Sequence, residues 1–116
     1  MAKGGLNDRS ELVPFTAVGV IRRFARIADA AERLKKGGFD GCEVMASHCH
    51  LLDQFWTLNV NKRSDEYGSA TLENRVRFAT RILTAVRERV GPDFIVGIRM
   101  TGDDFQEGGL DMKVTE

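Results

Sequence analysis

Cysteine is scarce in this chain: Cys42 and Cys49 are the only two among 116 residues. With no Cys-x-x-Cys pair, they exclude a disulfide-built scaffold and read as reduced thiols of a cytoplasmic protein, packed as small residues. An excess of charge of one sign is missing too. Lys+Arg and Asp+Glu are both 17, so the formal net charge is zero. Proteins that grip nucleic acid or a membrane surface normally carry a basic excess or a basic stripe, and neither partner is expected here. No apolar run approaches the ~20 residues of a membrane span. The start, Met1 to Ser10, is polar and glycine-bearing, unlike a signal peptide. What remains is 42% hydrophobic and 29% charged, too apolar for disorder and ordinary for a globular domain.

Residues 1–16 show no sustained period and are expected to be a loop or frayed tail. From Ile21 to Lys36 the residues Ile21, Phe24, Ala25, Ala28 and Ala31 share one helical face, widened by Ile27 and Leu34. Lys35 and Lys36 suit the negative end of that helix, and Gly37-Gly38 supply a left-handed stop. Phe39 to Ala46 then reads as a short buried strand in which Cys42, Val44 and Ala46 alternate with Glu43 and Met45. A glutamate there needs a polar interior or a cationic partner.

A long polar connection over residues 47–70 follows, of the kind that carries function. A second helix spans Leu72 to Val90, with Thr71 as N-cap, Glu73 in its first turn, and Gly91-Pro92 as its stop. Phe94 to Met100 is a second buried strand, Thr101 to Gly109 a polar turn, and the last six residues the start of another helix. Helix–strand–helix–strand order with apolar strands predicts a parallel sheet covered by helices. Two strands alone leave both sheet edges bare, so the chain is expected to be an internal piece of a larger α/β domain.

The stretch GFDGCEVMASHCHLLDQFWTLNVNKRSDEYG, then LENRVRF, VGPDFIVGIRM and FQEGGL, resembles the old yellow enzyme family of NADH:flavin oxidoreductases. Within that family it is most similar to the branch of trimethylamine dehydrogenase, dimethylglycine-catabolising enzymes and dienoyl-CoA reductase. The resemblance covers about 90 residues in order. It implies a single FMN-binding (β/α)8 barrel, the TIM-barrel fold. Residues 1–116 would be a fragment of it, supplying about two βα units around strands 4 and 5 with the preceding helix. A whole barrel needs about 250 residues. Longer branches carry an iron–sulfur cluster and a second nucleotide further downstream. This chain has neither a Cys cluster nor a GxGxxG motif.

Barrel chemistry sits at the C-terminal ends of strands, here Met45 to His50. The family pattern resembles H-A-A-H-G-Y, against Met45, Ala46, Ser47, His48, Cys49 and His50. The resemblance makes His48 a catalytic imidazole that meets a substrate carbonyl or amine. A loop histidine bonded to backbone is the plainer alternative. Met45 stands where the family places a polar substrate anchor, so it is a pocket residue without a strong hydrogen bond. His50 stands where a tyrosine donates a proton, and is either a relay or a rim histidine. His48-x-His50 is formally a metal pattern, but with no third ligand nearby no metal is expected.

Arg99 ends the second strand, where the family sets an arginine against the N1/O2 edge of the flavin. A guanidinium stabilises the negative charge of reduced flavin there, and a pair with Glu43 is the structural alternative. Trp56 extends the family's LLDQF segment, and the resemblance implies a substrate-pocket aromatic there. Asn61, Arg63, Asp65, Glu73, Asn74 and Arg75 are expected to form a hydrogen-bonded cluster, with one residue more than the family between Tyr67 and Glu73.

Taken together these residues imply FMN-dependent hydride transfer with a small N-methylated amine. The enzymatic alternative is NAD(P)H-dependent reduction of an activated alkene such as an enoyl thioester. The non-enzymatic alternative is an inactive barrel fragment. A parent enzyme with a small-molecule substrate, and with an oligomeric state open, fits either enzymatic reading.

Overall fold

The computed structural model describes residues 17–107 and Gly109. The loop expected over residues 1–16 and the helical start expected in the last six residues lie outside the described residues. The elements are α1 (Ala17–Lys36), β1 (Gly41–Ala46), α2 (Asp53–Trp56), α3 (Leu72–Val90) and β2 (Ile95–Met100). α3 has the expected bounds, whereas α1 begins four residues before Ile21.

Local chemistry explains the ends. Thr71 is extended, and its Oγ1 accepts the Asn74 N–H at 3.1 Å, closing the first turn of α3. Gly38 and Gly91 both take positive φ, at 86° and 79°, which a side chain would strain. Around Gly38 the amides of Gly37, Gly38 and Phe39 return to the carbonyls of Arg33, Lys35 and Leu34. That turn consumes the Phe39 amide, so the strand starts at Gly41 and Phe39 stays exposed. At the other stop, Arg87 donates to the carbonyls of Gly91 and Phe94 at 2.8 and 2.7 Å, clamping the turn into β2. Lys35 Nζ donates to the Val90 carbonyl at 2.6 Å, tying the ends of α1 and α3 together.

β1 and β2 pair in parallel with Gly41 opposite Ile95, Met45 opposite Arg99 and Ala46 opposite Met100. On β1, Val44 and Ala46 are buried, and Cys42 is partly buried against the same core. Burial pushes the Cys42 thiol up, away from reactive thiolate. Phe78, Ile82, Val86 and Val90 of α3 are fully buried, and Phe55 stacks on Phe78 with centroids 4.1 Å apart. Ala28 and Ala31 are the buried small residues of α1, which packs along α3. Small side chains let two helix axes approach.

The opposite sheet face, with Glu43, Met45 and Arg99, is open. The expectation that β2 is a buried strand is corrected: Ile95 is 67% and Met100 46% exposed. The physical reason for Ile95 is that α1 and α3 cover one face of the pair, while among the described residues nothing covers the other; Met100, in register with buried Ala46 on the covered face, is exposed at the end of the strand. The 47–70 connection also holds one helical turn, α2, that periodicity does not reveal.

Candidate active site

Because the strands are parallel, their C-terminal ends share one rim, and the segments leaving them meet there. Ser47, His48 and Cys49 after β1, with Arg99, Thr101 and Asp103 at and after β2, line an open cleft of about 390 Å³. The structure thus brings His48 and Arg99 to a common space. Met45, His50 and Trp56 do not line that cleft.

The turn after β1 is held in a costly shape. His48 and Cys49 are consecutive non-glycine residues at φ 56° and 58°, a left-handed conformation costing of order 1–3 kcal/mol per residue. Neighbours hold it in place. The Cys49 N–H donates to Asp53 Oδ2 at 2.6 Å, Gln54 Nε2 to the Cys49 carbonyl at 2.7 Å, and the His50 N–H to the Ser47 carbonyl at 3.1 Å. Asp53 is 2% exposed and also accepts from Trp56 Nε1 at 2.9 Å. One buried carboxylate therefore joins the turn after β1 to the core. Trp56 is itself buried, and its indole N–H points into the scaffold.

Ser47 is buried while His48 and His50 are exposed. Ser47 Oγ lies 3.1 Å from Met45 Sδ and 2.8 Å from His48 Nδ1. Met45 is 41% exposed on the open sheet face, in register with Arg99. Arg99 Nε donates to Glu43 Oε1 at 2.6 Å, with Nη2 3.4 Å from Oε2. The Glu43 hydrogen bond, then its charge, pushes Arg99 above the usual guanidinium range. The pair that sequence offered as the alternative for Arg99 is therefore formed.

The loop cluster forms around Asn61, which is buried. Its Nδ2 donates to the carbonyls of Phe55 and Tyr67, and its Oδ1 accepts the Arg63 N–H at 3.1 Å. Asp65 pairs with Arg63 and accepts the Tyr67 N–H at 3.1 Å. Glu73 and Asn74 instead bind Arg77 at 2.9 and 3.1 Å, while the Arg75 guanidinium reaches the Trp56 carbonyl at 3.5 Å.

Sequence reasoning missed Ser47 as a bridge and Asp103 as a lining residue. A serine between Ala46 and His48 reads as small packing, and an acidic turn residue reads as solvated.

This arrangement can be set beside known proteins. The model of the NADH:flavin oxidoreductase / NADH oxidase family matches residues 17–115. The chain belongs to that family. It is 53% identical over 89 residues to N,N-dimethylglycine/sarcosine dehydrogenase of Chromohalobacter salexigens, covering 74% of this chain and 13% of that protein. It is 46% identical over 92 residues to the multifunctional alkene reductase/demethylase OYE of Caballeronia cordobensis, covering 77% and 13%. Among solved structures, 2-naphthoyl-CoA reductase superposes with a TM-score of 0.81 at 33% identity, over 85% of this chain and 15% of that one. The chain thus spans between about an eighth and a quarter of the length of the curated relatives it matches. Its structural neighbours are old yellow enzyme barrels, and its relatives are flavin-dependent oxidoreductases.

The family implies FMN, and the residues present fit a flavin edge. The Glu43 pair uses Nε and Nη2 of Arg99, which leaves Nη1 to donate. The guanidinium also stands at a strand's C-terminal end beside the cleft. A donor that cannot shed its charge suits an edge that becomes negative on reduction.

Proposed function

We propose that the whole protein oxidises a small N-methylated amine in the cytoplasm, with β1 and β2 as strands 4 and 5 of its barrel. Bound FMN would supply the hydride acceptor. The amine would lose a hydride from its N-methyl carbon, leaving an iminium that water hydrolyses to formaldehyde and the demethylated amine. The observation that carries this reading is Met45. A thioether offers no donor to a substrate oxygen, so His48 would face a carbonyl alone, and losing one such donor costs about 10²–10³ in rate.

The chain's residues have matching parts in this reading. His48 takes the ammonium proton so that the nitrogen lone pair is free, and exposed His50 passes a proton toward solvent. Arg99 holds the N1/O2 edge. Trp56, whose indole anchors Asp53, supports the turn rather than touching substrate. The identity to a dimethylglycine/sarcosine dehydrogenase supports the amine. The 0.81 superposition on an acyl-CoA reductase favours the second reading, reduction of an enoyl thioester.

The test uses the whole, FMN-loaded protein without oxygen. Dimethylglycine or sarcosine should bleach the flavin absorbance, and an enoyl thioester with NADH should turn over slowly. Fast thioester reduction with no bleaching by any methylamine would establish the second reading instead.

A further inference from the structure

We propose that Ser47 is a positioning residue that sets the tautomer of His48. It would hold the proton on Nδ1 and present the bare Nε2 lone pair for substrate. The inference rests on three atoms: Met45 Sδ, Ser47 Oγ and His48 Nδ1, with Oγ 3.1 Å from the sulfur and 2.8 Å from the nitrogen.

A serine hydroxyl has one proton to give and two lone pairs to receive, and a thioether sulfur can only accept. If the hydroxyl proton points at Met45 Sδ, Oγ must receive from His48, so Nδ1 carries the ring proton. Both contacts are then hydrogen bonds. If the hydroxyl proton points at Nδ1 instead, oxygen and sulfur face each other at 3.1 Å with lone pairs only, and one bond replaces two. The count favours the first arrangement. Ser47 is 3% exposed, so water does not readily replace a lost partner. The left-handed backbone at His48 and Cys49 keeps the ring beside the serine.

The consequence is a choice of substrate for the same site, and so it deepens the amine reading above. With Nδ1 protonated, the nitrogen left for substrate accepts a proton and has none to give. An ammonium N–H satisfies it; a carbonyl oxygen does not. Asp53 and Asp103 line the same cleft as His48, with Arg99 the cation opposite. Met45 then acts twice: it withholds a donor from substrate and, through Ser47, turns His48 into an acceptor.

The chain holds only two histidines, so ring-nitrogen NMR reads the tautomer directly. In the ¹⁵N-histidine-labelled chain above the imidazole titration range, two-bond correlations should show His48 protonated at Nδ1. Met45→Leu frees the hydroxyl proton to turn to Nδ1, and Ser47→Ala removes the bridge. Each should move His48 toward the Nε2-protonated pattern while His50 stays unchanged. An Nε2-protonated pattern in the unsubstituted chain would overturn the proposal. So would an Nδ1-protonated pattern that survives both substitutions. The spectrum needs no turnover, so a protein that fails to oxidise amines would end the functional reading without touching this one.

Discussion

Glu43 and Arg99 reach each other diagonally across the parallel strands: Glu43 is in register with Gly97, yet Arg99 Nε lies 2.6 Å from its Oε1. Both side chains are about half exposed on the uncovered face of the sheet. A pair so placed does little for folding, because water screens it and both long side chains lose freedom to form it. Its effect lies in how much positive charge Arg99 presents at the rim.

Glu43→Gln should therefore barely move the unfolding midpoint but should change the flavin. In the whole FMN-loaded protein, an Arg99 without its counter-anion stabilises reduced flavin more, so the midpoint potential should rise. Arg99→Met should lower it. Equal potentials in all three proteins, by spectroelectrochemical titration, would remove Arg99 from the flavin edge.

The 47–70 connection should depend on Asn61 more than on any of its surface ion pairs. Asn61→Ala would leave the Phe55 and Tyr67 carbonyls and the Arg63 N–H without their partner in a site only 3% exposed. Stranding buried groups of this kind costs about 1–3 kcal/mol. In urea the midpoint should fall with the slope unchanged. A midpoint equal to that of the unsubstituted protein would show that water replaces the amide.

How far these features could be read from residues depended on whether the signal was local. α3 was legible at both ends because Thr71, Glu73 and Gly91-Pro92 each act within one turn. The start of α1 was not, because its first turn carries no acidic residue. The meeting of His48 and Arg99 followed from parallel strands, whose C-terminal ends must lie together. The direction of Trp56 did not follow, since it depends on a four-residue helix that turns the indole onto Asp53. The bare face of β2 was hidden for a different reason. An apolar strand reads the same whether or not something covers it.

Asp65 gives the connection a pH dependence of known sign. The hydrogen bond from Arg63 comes first among the causes holding its carboxyl below the usual range, with the Tyr67 N–H adding to it. A carboxylate depressed in the folded state stabilises folding above its unfolded pKa, about 3.9. That contribution is lost as pH falls through the lower, folded value. Asp65→Asn should thus be less stable than the parent near neutrality, with the difference shrinking toward strongly acid pH. A difference that stays constant across that range would mean the carboxylate's charge is not what matters.

His48 offers the sharpest division between amine and alkene chemistry, because the two ask opposite things of one nitrogen. In amine oxidation the nitrogen lone pair must be free before hydride can leave the methyl carbon, so His48 would act by taking the ammonium proton. Placed acid–base groups contribute about 10²–10⁴ in rate. In the whole protein, His48→Gln should slow flavin bleaching by dimethylglycine by about that factor near pH 7. The deficit should shrink as pH rises toward the amine's own pKa, because solvent then removes the proton in place of the imidazole. In alkene reduction His48 would instead donate to the substrate carbonyl. Glutamine can still donate from its side-chain amide, so the loss would be small and nearly independent of pH. Stopped-flow reduction of the flavin across pH by the parent and by His48→Gln separates the two. A small, flat deficit with amine substrate would assign His48 to positioning alone and leave the proton to bulk water.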